Sequence, residues 1–397
     1  MKQTVADQHY PSVTRDAGPL GDWLGMTRSW MADSARLWAE RGVHPDGGFR
    51  EELALDGTPF AEEKTSRVRV QARQTFSFAL FQELAPELDS IDADRMAALT
   101  RLGLDILFTS ARRADGLYGR QLQHGGGLVD ETADLYDNAF VLLALSKAAA
   151  MGHEGAGAAA DTLSEAIDAH FRRPDRDGGY FEVLPSSNVR LQNPHMHLLE
   201  ASLFHHGVTG HAGSAERAER LEQLVDERFV SVDGGLREIS REGWRPLEGD
   251  RYETGHQYEW VWLLHEKARS LGGPVHGAAQ SFYGTAIRLT GDNGEVFLEH
   301  HLSGSLKDST RRCWGITEAI KAHLARLEAG DAEAEARASA AVKQLFETFL
   351  APAPVQGGWI DKYDGYGNPI SLVMPASTGY HVYLALAELL RVAGSRA

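Results

Sequence analysis

Twelve stretches of this chain carry apolar residues at helical spacing, i, i+3 and i+4. They are residues 21–41, 68–84, 94–110, 134–151, 161–171, 194–206, 215–229, 255–271, 275–289, 314–327, 332–350 and 376–393. The stretches at 94–110, 161–171, 215–229 and 332–350 are rich in charge, as expected of helices with one face in water. Those at 68–84, 134–151, 194–206, 255–271, 314–327 and 376–393 hold more aromatic and small residues, as expected of helices covered on most sides. Between them a turn signature recurs: Asp-Gly-Gly-Phe at 46–49, Asp-Gly-Leu-Tyr at 115–118, Asp-Gly-Gly-Tyr at 177–180, Asp-Gly-Gly-Leu at 233–236, Asp-Asn-Gly at 292–294 and Gln-Gly-Gly-Trp at 356–359. The matching glycines, 47, 116, 178, 234, 294 and 357, are 69, 62, 56, 60 and 63 residues apart. Six units of near-constant length mark a repeat architecture.

Each unit has room for two helices. Exposed and covered helices alternating six times predict a double ring of helical hairpins closed into a barrel. A linear solenoid would need polar end caps, and the last unit, 376–390, is as apolar as the middle ones. The turns then lie at one end, around the mouth of a central pocket, with only short strands in the loops. Residues 20–397 are expected to form one domain, with 1–19 as an N-terminal extension. The acidic segment 50–66, punctuated by Gly57 and Pro59, reads either as a lid over the mouth or as a solvated loop.

The inner stretches open with polar residues. Arg73 sits in an aromatic run, where an Arg needs an anionic or oxygen-rich partner, either a ligand or an acid from 51–63. Asp134, Tyr136, Asp137 and Asn138 open the next, and at least one reads as a helix cap. Asn193 precedes Pro194 as a cap, and His195 and His197, two apart on a helix, cannot both face a pocket. His256 and Glu259, three apart, share one face of a first turn, where a carboxylate can fix an imidazole tautomer. Trp314 with Glu318, and then His381, occupy the last two starts. A single His there is more often structural than reactive. Three at matching places in successive inner helices suggest a common task.

Composition narrows that task. Net charge is −16, which argues against nucleic-acid or anionic-membrane partners. The only cysteine is Cys313, so neither an intrachain disulfide nor a Cys-rich metal site can form. No apolar run reaches 18 residues and the first 18 residues lack a signal-peptide core, so a cytoplasmic setting is expected. Imidazoles suit proton transfer at carbon beside a carbonyl, each contributing about 10²–10⁴-fold, and an Arg or a further His can hold the resulting oxyanion. Glycoside hydrolysis would ask instead for two opposed carboxylates.

The runs Gln-Ala-Arg-Gln, Asp-Leu-Tyr-Asp-Asn-Ala-Phe, Asn-Pro-His-Met-His-Leu-Leu-Glu-Ala, Gly-His-Gln-Tyr-Glu-Trp-Val-Trp and Pro-Ala-Ser-Thr-Gly-Tyr-His together resemble the N-acylglucosamine 2-epimerase superfamily over roughly residues 20–393. That resemblance implies an all-α (α/α)6 barrel and a cofactor-free, metal-free enzyme acting on a monosaccharide. It implies that His256, supported by Glu259, and His381 are the acid/base pair and that His197 opens the ring. It also implies that Arg73, Asn193, Trp314, Tyr136 and Glu318 bind substrate. The segment Gln356-Gly-Gly-Trp-Ile-Asp-Lys-Tyr-Asp with Pro375-Ala-Ser-Thr-Gly-Tyr-His most resembles the mannose isomerases of that superfamily, implying exchange of D-mannose and D-fructose through a cis-enediol. The alternatives are a C2 epimerase of mannose/glucose or of a β-1,4-linked disaccharide, a glycoside hydrolase, or a sugar-binding module. Two departures from the superfamily pattern, Gly315 after Trp314 in place of Pro and Gly379 in place of a larger residue, are expected to widen the pocket. A monomer and a dimer are equally compatible with the sequence.

Overall fold

All twelve stretches are α-helical in the computed structural model, which describes residues 19–88, 90–174 and 178–396. In chain order they are α1 Leu24–Arg41, α2 Val68–Leu84, α3 Ala93–Thr109, α4 Leu135–Ala150, α5 Ala156–His170, α6 Gln192–Thr209, α7 Ala212–Leu224, α8 Thr254–Leu271, α9 Ala278–Leu289, α10 Cys313–Glu328, α11 Ala334–Gln344 and α12 Ala376–Gly394. Residues 1–18 of the expected extension, and Asp177 of the third turn, lie outside the described residues.

The even-numbered helices form the inner ring. Each packs on the next, and α12 packs back on α2. The odd-numbered helices form the outer ring, α3 on α2 and so on to α11 on α10, with α1 covering α12. This is an (α/α)6 barrel. Closure is made by aromatics from opposite ends of the chain. Trp38 stacks on Trp359 at 5.4 Å, Trp23 Nε1 donates to Ser339 at 3.0 Å, and Ser34 and Tyr383 hydroxyls meet at 2.8 Å. A solenoid would leave those faces in water, and burying them favours the ring. No helix among the described residues is long and apolar enough to cross a membrane.

The expected turns end the outer helices, so they share one end of the barrel with the inner-helix starts. Short antiparallel strands fill the loops. One hairpin, Phe297–His301 with Leu306–Arg312, is longer than expected; it turns at Gly304, whose φ of 85° suits glycine. The segment 50–66 is tied down. Glu52–Ala54 pairs with Val373–Pro375, Glu51 bonds Arg67, and Glu63 lies 3.5 Å from Arg50. Glu51 and Glu63 are therefore engaged with Arg67 and Arg50, and Arg73 turns elsewhere.

One register runs through the inner ring. The fourth residue of α2, α4, α6 and α8 is Gln71, Asn138, His195 and Gln257. Each clasps the backbone of the preceding turn. Gln71, Asn138 and Gln257 both accept from and donate to Phe49, Tyr118 and Leu236 respectively, at 2.7–3.1 Å. His195 Nε2 accepts from the Tyr180 amide at 3.0 Å, and its Nδ1 donates to Leu191 O at 2.8 Å. Both ring nitrogens of His195 are thus spent on structure. The second and sixth residues, four apart and so on one face, point the other way, into the barrel.

Candidate active site

The sixth residues of the inner helices are Arg73, Phe140, His197, Glu259, Glu318 and His381; the second residues are Arg69, Tyr136, Asn193, Gly255, Trp314 and Ser377. Arg73, Tyr136, Asn193, His197, Glu259 and His381 line a central cavity of about 570 Å³, as do Trp314 and, from the third position of α8, His256. Eight of the nine residues singled out from sequence thus converge on one cavity. Glu318 is the exception: it is 0 % exposed and lies behind the wall. Asn193 is not a cap either. Leu191 holds that position, which leaves the Asn193 side chain within the first turn, facing the cavity. Gly315 and Gly379 do not widen the cavity. A Cβ on them would meet Val296 and Tyr383, so both face away from it. Gly255 is the glycine that shapes the site: a Cβ there would stand 2.3 Å from the Trp314 ring.

Each cavity imidazole is anchored at Nδ1 by its own carboxylate. His256 donates to Glu238 at 3.0 Å, His197 to Glu200 at 3.1 Å, and His381 to Glu318 at 2.8 Å. The expected pairing of His256 with Glu259 is therefore not made. Helical spacing puts Glu259 one turn deeper than His256. A loop carboxylate, Glu238, reaches Nδ1 instead, itself held by Gln192 Nε2 at 2.8 Å. Neither carboxyl oxygen of Glu259 has a hydrogen-bond partner, and it is 1 % exposed. Burial, reinforced by the nearby Glu318, raises its pKa well above the usual carboxylate range and so favours its protonated form.

The anchors load the three rings unequally. Burial alone would lower the pKa of His256, but Glu238 and, at 3.4 Å, Glu253 outweigh it and raise the value to about 10. Its Nε2 lies 3.3 Å from the Asn193 side-chain amide. Burial pushes His197 down to about 4 against the pull of Glu200. Burial, with Arg73 and Lys321 adding positive charge, pushes His381 well below 6.5. Its partner Glu318 is shared with the fully buried Lys321 ammonium at 2.6 Å, which weakens its hold on the imidazolium. The site at neutral pH therefore holds one cationic imidazole, His256, and a neutral one, His381, on either side of Trp314, whose ring lies 5.0 Å and 6.0 Å from theirs.

Arg73 projects between these groups. It donates to Tyr136 Oη at 2.6 Å and to Ser377 O at 3.1 Å, and its guanidinium lies 3.9 Å over the Phe140 ring. Three groups, Glu238/Glu253/His256, His197/Glu200/Glu259 and Glu259/Glu318/His381, have donor atoms close enough to share a cation. In the last, the Lys321 ammonium already supplies the positive charge. In the first, the proton on His256 does so.

Sequence reasoning missed Glu238, Glu200 and Lys321. A signal for Glu238 exists. Two residues after the last residue of the turn signature stand Glu51, Glu182, Glu238 and Asp361 in four of the six units. Each then bonds a polar group of the neighbouring loop or helix. Replacing Glu238 with Gln is expected to move the His256 titration down from about 10 by roughly one to two units, since one of two flanking charges is removed. The imidazole resonances of His256 in a pH titration read this directly, and an unmoved titration would refute the assignment.

A helical double ring around three histidines and an arginine holds groups suited to acid–base chemistry in one cavity. The chain's relatives are sugar isomerases and epimerases. The sequence model of N-acylglucosamine 2-epimerase (GlcNAc 2-epimerase) matches residues 47–385, and the chain belongs to that family of sugar isomerases and epimerases. It is 32 % identical over 383 residues to a mannose-6-phosphate isomerase of Rhizobium meliloti (strain 1021), covering 92 % of this chain and 96 % of that one. It is 28 % identical over 327 residues to a D-mannose isomerase of Thermobifida fusca, covering 74 % and 77 %. The crystal structure of a D-mannose isomerase superposes with a TM-score of 0.84 at 21 % identity, over 96 % of this chain and all of that one, a likeness of fold.

Proposed function

We propose that this enzyme interconverts D-mannose and D-fructose by moving one proton between C2 and C1. His197, beside Asn193, opens the sugar ring by proton exchange at the ring oxygen and the C1 hydroxyl. Neutral His381 then takes the C2 proton, and the electron pair forms a cis-enediolate. Arg73 and cationic His256 hold the developing oxyanion, and the Glu259 carboxyl, in the protonated form that burial favours, donates to a second oxygen. A proton moves from the O2 hydroxyl to O1, His381 returns its proton to C1 and the C2 carbonyl forms, leaving the ketose. The relatives named as mannose and mannose-6-phosphate isomerases support this reading.

The observation that carries it is the unequal loading of the two imidazoles. Reversible C2 epimerisation needs two rings that exchange acid and base roles, each with a pKa near the working pH. Held between Glu238 and Glu253, His256 keeps its proton to about pH 10 and is better suited to donate a hydrogen bond than to trade protons with carbon. The runner-up is a C2 epimerase in which His256 protonates the opposite face. A hydrolase is less well supported, because it needs two free carboxyls and, of the four that line the cavity, Asp134, Glu182 and Glu253 pair with Arg120, Arg190 and Arg251, leaving Glu259 alone. Incubation with D-mannose in heavy water separates these readings. Fructose is expected, with solvent deuterium at C1 to the extent that His381 exchanges its proton before returning it. Glucose deuterated at C2 would establish the epimerase, and an unchanged sugar would remove both.

A further inference from the structure

Each cavity imidazole hangs from a carboxylate, and each of those carboxylates holds a second donor. Glu238 is shared with the Gln192 amide and Glu318 with the Lys321 ammonium. On Glu200 the second donor is the Tyr380 hydroxyl, which bonds Oε1 while His197 Nδ1 donates to Oε2 at 3.1 Å. Tyr380 is 0 % exposed and does not line the cavity, so it is no substrate contact. Its bond spans the barrel, since α12 and α6 stand three places apart in the ring of six inner helices. The Tyr380 ring packs edge-on against Phe76 of α2 at 5.4 Å and Phe140 of α4 at 5.2 Å, which fixes the hydroxyl. The next residue, His381, faces the cavity and is anchored on Glu318. One turn of α12 therefore reaches the ring that takes the C2 proton and, through Glu200, the ring that opens the sugar.

Glu200 is an anion held on both oxygens. Burial would raise its pKa, but the bond and charge of His197, the charge of Lys321 and the Tyr380 bond outweigh it and hold the value below the usual carboxylate range. Burial, with the charge of Glu200 beside it, raises the Tyr380 phenol well above 10, so the phenol keeps its proton and donates. A carboxylate that can only accept fixes the tautomer of His197: Nδ1 carries the hydrogen and Nε2 its lone pair. The Tyr136 and Phe140 rings pack on His197 at 5.0 Å and 4.6 Å. Around it stand Arg73 from α2, His256 and Glu259 from α8, and His381 from α12, while Lys321 of α10 acts on Glu200. Nε2 is left as the nitrogen that meets the sugar.

Ring opening makes strict demands on that nitrogen. Nε2 takes the proton of the C1 hydroxyl, the O–H electron pair becomes the C1 carbonyl as the C1–O5 bond breaks, and the freed O5 takes the proton from Nε2. One nitrogen serving two oxygens must sit between them, and a misplacement of about 1 Å costs on the order of 10²-fold. Glu200 sets that position from behind the ring. A carboxylate with a single donor can rotate about that bond, and a second donor on its other oxygen stops the rotation.

We propose that Tyr380 is a positioning residue for ring opening, acting through Glu200 to hold His197 against the ring oxygen and C1 hydroxyl of the sugar. The proposal rests on the reading that His197 opens the ring. Ring opening can be followed apart from chemistry at C2, as enzyme-catalysed exchange between the α and β anomers of D-mannose. Tyr380→Phe keeps the packed ring and removes only the hydroxyl. It is expected to slow anomer exchange about tenfold. It should also move the acid limb of the pH profile of that exchange, set by His197 near 4, up by about half to one pH unit, since Glu200 loses a donor that disperses its charge. In a Glu200→Gln background the same substitution should add less than about twofold to the loss. Unchanged exchange or an unmoved acid limb in Tyr380→Phe overturns the proposal, as does a tenfold loss that persists without Glu200, or a wild type that catalyses no exchange. Glucose in place of fructose from mannose would strike the isomerase reading alone, because the ring opens before either reaction.

Discussion

His381→Asn is expected to lower kcat by about 10²–10⁴-fold with little change in KM and no loss of fold. The ring is the sixth residue of α12, borders the cavity and touches Trp314, so its truncation leaves no large void in the core. What disappears is the one imidazole that burial, Arg73 and Lys321 together keep neutral. The wild-type pH profile should carry the same signature. A base is active when unprotonated, and this one has a lowered pKa. Activity should therefore persist as pH falls below 6.5 and decline only when His381 gains its proton. Steady-state rates on mannose across pH test both points. Retention of a tenth or more of wild-type kcat in the variant would remove His381 from the reaction.

Lys321→Met is expected to destabilise the fold by about 3–5 kcal/mol, the usual cost of breaking a buried ion pair by deleting one partner. Lys321 and Glu318 are both fully buried, and the ammonium also lies 4.1 Å over the Trp262 ring. It is a cation set among Glu318, Glu259 and Glu200, each of which raises its pKa against the effect of burial. Without it the carboxyls must take protons to stay buried. Burial, with Lys321 opposing, already raises the Glu318 pKa above its ordinary value, and the variant would raise it further. A group whose folded pKa exceeds its unfolded one contributes stability below the unfolded value and loses it as pH rises. The deficit should therefore be smallest near pH 5 and grow toward pH 8. Urea titrations at the two ends of that range measure it, and a pH-independent loss would mean that packing, not charge, is the cause.

The two predictions involve different kinds of residue. His381 was legible because it falls at the same helical place as other inner-ring polar groups, and a repeat of near-constant length makes such places comparable. Lys321 was not, since an amphipathic reading assigns a Lys to solvent. Only a closed inner ring leaves the ninth residue of α10 with no path to water.

The same division runs through the whole chain. Periodicity and the six turns were enough to specify twelve helices and their two layers, because helical spacing and glycine turns are local properties of the chain. They also showed that His195 and His197 could not both face the pocket, since residues two apart on a helix face different ways, while the choice of His197 came from the family resemblance. Which carboxylate meets which imidazole was decided by tertiary structure. Glu238 comes from a loop, and it displaced the nearer-in-sequence Glu259 because loop and helix start meet at the same end of the barrel. The protonation of each histidine follows from that meeting. It depends on burial and on charges distant in sequence, and neither exists until the ring has closed.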